Sequence, residues 1–261
     1  MTGYVLTDSA TMLRRNLRRM RRYPSLTMFV IGIPIVFLLL FVYVLGGTLG
    51  AGIGGASGGR AEYLAYVTPG ILVAAIAGAA QGTAISVAMD MTEGIVARFR
   101  TMAIARTAVL SGHVVGSVIQ MMLAVGVTMV VALLIGFRPT TGPIQWLAAA
   151  GLLGLVACAL TWLCVALGMV TKSVETASNL PMPLMLLPFF GSGFVPTESM
   201  PGPLRVFADN QPFTPIIETL RSLLLGSPMG NSGVLAVAWC IAISAAGFLW
   251  ARRLYERPPG R

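Results

Sequence analysis

The sequence predicts an all-α integral membrane protein with six transmembrane helices, and three observations carry that prediction. Of its 261 residues, 56% are hydrophobic and only 10% are charged, against about 25% charged in a soluble domain; mean hydropathy is +0.82. Apolar runs long enough to cross about 30 Å of hydrocarbon recur along the whole chain. Fourteen of the 18 basic residues fall in the N-terminus, 90–107, 171–179 and the C-terminus. That segregation places both termini and the 90–107 loop in the cytoplasm, as an even number of spans requires. It also explains the net charge of +9 through loop bias and anionic lipid rather than nucleic acid.

Residues 1–24 form a cytoplasmic N-terminus. Ala10, Leu13, Leu17 and Met20 recur at helical spacing, and Arg14, Arg15, Arg18 and Arg19 cover much of the remaining surface. This is the pattern of an interfacial helix lying among lipid phosphates. Pro24 breaks it. The apolar run that follows is too long for a signal peptide and has no cleavage site behind it, so it reads as a retained first span.

The membrane domain covers 25–251. Span one, 25–47, contains Pro34 and is expected to kink there; a Gly-rich stretch, LGAGIGGASGGR, reads as a flexible loop. Span two, 65–89, carries Gly78 and Gly82, four apart, a spacing that permits close helix approach. Then comes a charged island, Asp90–Arg106, holding five of the 27 formal charges between two apolar runs. Span three is 108–137. Arg138, Pro139 and Pro143 turn the chain into span four, 144–170, with Trp146 at an interfacial level.

After a polar link at 171–179, span five (180–195) is short and contains Pro181, Pro183, Pro188, Gly191 and Gly193, so no regular helix is expected. The apolar face of 214–226 is too short to cross, and with the preceding Pro-Gly-Pro and Gln-Pro-Phe breaks it predicts an extracellular re-entrant helical hairpin. On it Glu218 and Arg221, three apart, read either as a surface pair or as residues lining or gating an exit. Span six is 234–250, and 252–261 is a basic cytoplasmic tail. Cys158, Cys164 and Cys240 all sit in apolar runs and read as packing residues.

Several chemistries are excluded. The one lysine, Lys172, follows Thr171 rather than glycine, so there is no phosphate-binding Gly-Lys-Ser/Thr loop. The one histidine, His113, rules out paired-histidine zinc chemistry and a catalytic triad. The middles of spans one to four and six carry no Asp, Glu, Lys or Arg, which disfavours an ion-coupled secondary transporter. Asp90 with Glu93 is too sparse for a lipid-modifying enzyme. Gln81 and Gln120 are the main mid-span polar groups and read as interhelical hydrogen-bonders.

Two motifs add a family resemblance. Glu93-Gly94-Ile95-Val96-Ala97-Arg98-Phe99-Arg100-Thr101-Met102, followed by Ala105-Arg106-Thr107-Ala108-Val109-Leu110-Ser111-Gly112, resembles the first cytoplasmic loop of type-2 ABC exporter (ABC-2 type) permeases of the daunorubicin-resistance class. Gly193-Phe194-Val195-Pro196, Met200-Pro201-Gly202-Pro203-Leu204, Asn210-Gln211-Pro212 and Leu220-Arg221-Ser222-Leu223-Leu224-Leu225-Gly226 are similar to the same class more specifically. Ala103 departs from the Met-Pro common there. The resemblance covers essentially the whole chain. It implies a non-catalytic permease in a bacterial cell membrane, paired with a second, identical or homologous, permease chain. Two ABC ATP-binding subunits would carry the ATP and Mg2+, leaving no cofactor on this chain. It further implies that 90–106 is a coupling helix, with Glu93, Gly94, Arg98, Phe99, Arg100 and Arg106 facing the ATPase, and that the N-terminal basic helix is an elbow helix. Arg98 and Arg100 also read simply as positive-inside anchors. The cargo implied is a hydrophobic drug-like compound, lipid or glycoconjugate.

Overall fold

The computed structural model describes residues 24–54, 59–92, 106–171 and 173–256. Helix α1 (Pro24–Leu39) passes through a π-helical turn (Leu40–Leu45) into α2 (Gly46–Gly54). Then come α3 (Arg60–Thr92), α4 (Arg106–Leu134), α5 (Pro143–Val170), α6 (Val174–Asn179) and α7 (Met182–Leu186). Two 3-10 turns (Leu187–Phe190 and Thr197–Ser199) lead to α8 (Gly202–Asn210), α9 (Phe213–Leu225) and α10 (Ser232–Glu256). Among the described residues, five stretches are helical, long and apolar enough to cross a membrane: Val30–Gly52, Arg60–Thr92, Val114–Leu134, Pro143–Val170 and Ser232–Tyr255.

Helix α3 is the axis. Its 33 residues extend about 50 Å at 1.5 Å per residue, and it packs against α1, α2, α4, α5, α6, α7 and α9. In their most apolar stretches α3 and α5 are 61% and 56% buried, whereas the first and last spans are 22% buried. Tyr63, Val67, Leu72, Ile76, Ala80 and Ala84 of α3 are fully enclosed. The glycines, threonines and Pro69 of α3 are poor helix formers in water. In hydrocarbon an unsatisfied backbone group costs several kcal/mol, and this outweighs propensity.

The same balance corrects the expected Gly-rich loop. Residues 46–54 continue as helix, with Thr48 Oγ1 donating to Leu45 O at 3.0 Å. A Cβ on Gly50 would lie 2.3 Å from Gly59 O, so α2 folds back on the start of α3 at a distance only glycine permits. Pro34 sits within α1, and the irregularity falls later, at the π turn. There Phe41 packs against Phe194 (4.7 Å) and Phe189 stacks on Phe194 (4.5 Å, 9°).

The expected close approach at Gly78 and Gly82 lies elsewhere. A Cβ on Gly82 would meet nothing within 4 Å, whereas one on Gly70 would lie 2.5 Å from Gly193 O and one on Gly168 2.5 Å from Ala84 O. Gly247 lets α10 close on α5, where Trp162 and Phe248 meet edge-on at 4.9 Å.

Candidate functional site

Between Ser178 and Phe194 the chain is broken into short pieces, because Pro181, Pro183 and Pro188 each lack an N–H. It follows α3 in the opposite direction. Gln81 Nε2 donates to Ser178 O, Gly78 faces Met185, Gly70 meets Gly193, and Tyr63 Oη donates to Phe194 O at 3.3 Å. From Gln81 to Tyr63 along α3 is about 27 Å, close to the thickness of a hydrocarbon core of about 30 Å.

Carbonyls of this irregular stretch accept from four side chains. Besides Gln81 and Tyr63, Gln211 Nε2 donates to Leu187 O at 3.1 Å, and an Arg221 guanidinium nitrogen donates to Ser192 O at 2.6 Å. The sequence singled out Gln81 as an interhelical hydrogen-bonder, and it is one. Gln211 is legible only as part of the Asn210-Gln211-Pro212 motif and Tyr63 not at all, and with Phe194 131 residues from Tyr63 no sequence signal joins them.

Arg221 joins three elements. It projects from α9, donates also to Tyr66 O at 3.3 Å, and lies over the Tyr66 ring at 3.9 Å from the centroid. Its Nε and Ser192 Oγ are buried without a partner. Removal from water pulls the Arg221 pKa down, and the Tyr66 and Glu218 interactions pull it back up; the guanidinium remains charged. Glu218 lies one helical turn earlier, and no ion pair joins it to Arg221. The ion pair on this hairpin is Arg205 with Asp209, at 3.6 Å.

Partial burial pushes the Glu218 carboxyl pKa up, against the Arg221 charge that pulls it down. A raised carboxyl pKa means that the folded chain holds this proton more tightly than the unfolded one. The stabilisation is full below the unfolded value of about 4.3 and is lost as pH rises through the folded value. Glu218→Gln, neutral throughout, should therefore melt higher than wild type at pH 7. That difference should shrink toward pH 4 in a detergent thermal-shift series, and a pH-independent difference would contradict the assignment.

At the other end of α3, Asp90 is buried and Thr92 Oγ1 caps onto Ala88 O and Met89 O at 3.0 Å. Val87, Val114, Val165, Ala166, Ala251 and Tyr255 form a separate apolar cluster that ties α3, α4, α5 and α10 together there. Glu93, Gly94, Arg98, Phe99 and Arg100 lie outside the described residues, as do Arg14, Arg15, Arg18 and Arg19. Arg106 is the first residue of α4.

A family model described as ABC-2 type transporter matches residues 8–225. The chain belongs to the ABC-2 type transporter family. Among its ABC-2 relatives, daunorubicin resistance ABC transporter permease protein DrrB1 of Streptomyces coeruleorubidus is 29% identical over 242 residues, covering 92% of this chain and 81% of that one. Probable doxorubicin resistance ABC transporter permease protein DrrC of Mycobacterium tuberculosis is 24% identical over 239 residues, covering 89% and 83%. The ABC-2 match spans the 93–105 segment, the broken stretch beside α3 and the α8–α9 hairpin alike.

Proposed function

We propose that this chain is the transmembrane permease subunit of an ATP-driven exporter of hydrophobic or amphipathic drug-like cargo. The observation that carries the proposal is the continuity of α3 within an ABC-2 chain. One helix, Arg60–Thr92, carries Tyr66, which Arg221 contacts, near one end and stops next to residue 93 of the sequence at the other, with the proline-broken stretch laid along it. In this reading Ser178–Phe194 is the fifth of six crossings, both termini are cytoplasmic, and the chain pairs with a second permease and two ATP-binding subunits. Nucleotide-driven closure of those subunits moves residues 90–106 through Glu93, Gly94, Arg98, Phe99, Arg100 and Arg106, while Glu218 and Arg221 gate the external end. Nucleotide drives the cycle only by binding the two conformations with different affinity.

The test is a Phe99→Ala/Arg100→Ala permease reconstituted with its ATP-binding subunit in proteoliposomes. The expected result is ATPase activity and daunorubicin efflux both reduced at least about tenfold, equivalent to about 1.4 kcal/mol of lost coupling. Full activity with the subunit still bound would remove the coupling role. Efflux by the purified permease without any ATP-binding subunit would establish an ion-coupled transporter instead.

A further inference from the structure

Helices α4, α5 and α9 do not close completely on one another. An apolar cavity of about 140 Å³ lies between them. Met122, Gly126 and Met129 give it one wall, and Trp146, Ala150 and Leu153 the other. Each set is spaced four and then three residues apart, and so shares one face of its helix. Leu220 and Leu224 of α9 form the floor, and the same helix carries Arg221 to Tyr66 and Ser192. The gap has a local cause. A Cβ on Gly126 would meet nothing within 4 Å, and Ala150 adds only a methyl to the facing wall. Both residues are exposed, so the cavity opens at the surface between α4 and α5.

Beside that opening Leu123, Val130 and Leu147 are 48%, 54% and 74% exposed. On helices that cross a membrane such side chains meet hydrocarbon, which is therefore the medium at the mouth. An apolar cavity of about this size stays dry and takes a benzene-sized group. Here the walls run from Met122 to Met129 and from Trp146 to Leu153, about 10 Å each. The space is thus a narrow slot, which suits one hydrocarbon chain better than a fused ring system. A cation stands over one end of it. Leu133, next after Met129 on the same face of α4, accepts at its carbonyl from Arg138 at 2.8 Å, and Phe137 O accepts from the same guanidinium nitrogen at 3.1 Å. The arginine stays exposed, and its fork has donors to spare. Trp146 lies at this end too, at the level an indole takes among headgroups. Cation, amphipathic ring and apolar slot follow one another toward the membrane interior, which is the complement of a phospholipid.

We infer that the slot holds one acyl chain of a phospholipid whose phosphate rests on Arg138, in the leaflet level with the α4–α5 loop. The inference needs a chain that crosses a membrane and does not depend on export. Trp146 reports on it once Trp162, Trp239 and Trp250 are replaced by phenylalanine. The full-length chain with its ATP-binding subunit is reconstituted in phosphatidylcholine vesicles in which about one lipid in ten is anionic phosphatidylglycerol brominated along its acyl chains. A lipid held at the site quenches Trp146 beyond what passing lipid does. Gly126→Leu, whose side chain fills the slot and favours helix, should lower that quenching at least about twofold. Arg138→Gln leaves the slot open but removes the charge on the phosphate, and should also lower it about twofold.

Equal quenching in all three chains means passing lipid only, and no quenching in any means that protein, whether a second copy or a partner, covers the slot. Either result overturns the inference. So does a Gly126→Leu chain that keeps its quenching but raises the KM for daunorubicin efflux, which would assign the slot to cargo. Native mass spectrometry of the complex with all its tryptophans is the independent measurement. A phospholipid should be retained on each permease chain and lost from Gly126→Leu. A wild-type complex that retains none overturns the inference even where the tryptophan-reduced chain folds poorly. Efflux by the same complexes reports separately on the permease reading.

Discussion

Gly70→Val should abolish export and lower the thermal midpoint of the detergent-solubilised chain, whereas Gly82→Ala should change neither. The difference follows from what a side chain meets at each position. At Gly70 even a Cβ would lie 2.5 Å from Gly193 O, 2.8 Å from Gly193 Cα and 2.9 Å from its carbonyl carbon. No flexible side chain is available to move aside, so the backbone has to separate. Overpacking a close contact typically costs about 1–3 kcal/mol, and here the displaced backbone includes the carbonyls held by Arg221 and Tyr63. A Cβ on Gly193 would in turn lie 3.1 Å from Ile217 Cδ1 and 3.2 Å from Gly70 Cα, so the approach is close from both sides of the contact. Size-exclusion profiles and melting of both variants, with efflux normalised to folded protein, separate the cases. A Gly70→Val chain that melts and exports like wild type would show that the α3–Gly193 contact is not required.

The comparison of those two glycines shows what was legible in the sequence. Gly78 and Gly82 carry the small-residue spacing, yet the close contacts lie at Gly70, Gly168 and Gly247. In a chain with 30 glycines spacing cannot select among them, because closeness depends on where the facing backbone lies. Length and apolarity, by contrast, are properties of the segment itself. The five long spans were accordingly readable, with ends within a few residues of Arg60–Thr92 and Pro143–Val170. The prolines at 181, 183 and 188 foretold that 180–195 would be irregular for the same local reason. Arg221 was legible as notable but not as a clamp. Its partners are the Tyr66 and Ser192 carbonyls, 155 and 29 residues away, and a carbonyl has no signature in a sequence.

Arg221→Met should leave basal ATPase activity of the assembled transporter intact while opening an ATP-independent leak of small amphipathic dye. Methionine fills similar volume and can lie over the Tyr66 ring, but it donates nothing. Both carbonyls lose a charge-assisted hydrogen bond, at about 1.5–3 kcal/mol each. With tenfold in population for each 1.4 kcal/mol, an external end closed in about 99% of molecules would fall to roughly half closed even at the lower figure for the two bonds together. A leak of that size is measurable as dye loss from proteoliposomes without nucleotide. Arg221→Lys sharpens the test, since it keeps the charge but not the planar fork that spans two acceptors and stacks on a ring. It should leak nearly as much as methionine. Loss of melting temperature without leak, at normal efflux per folded complex, would make Arg221 a packing residue only. Wild-type tightness in the lysine variant would show that charge alone holds the end shut. The leak with ATPase activity preserved is the pattern that separates a gate at Arg221 from the coupling role of Phe99 and Arg100, whose loss silences both.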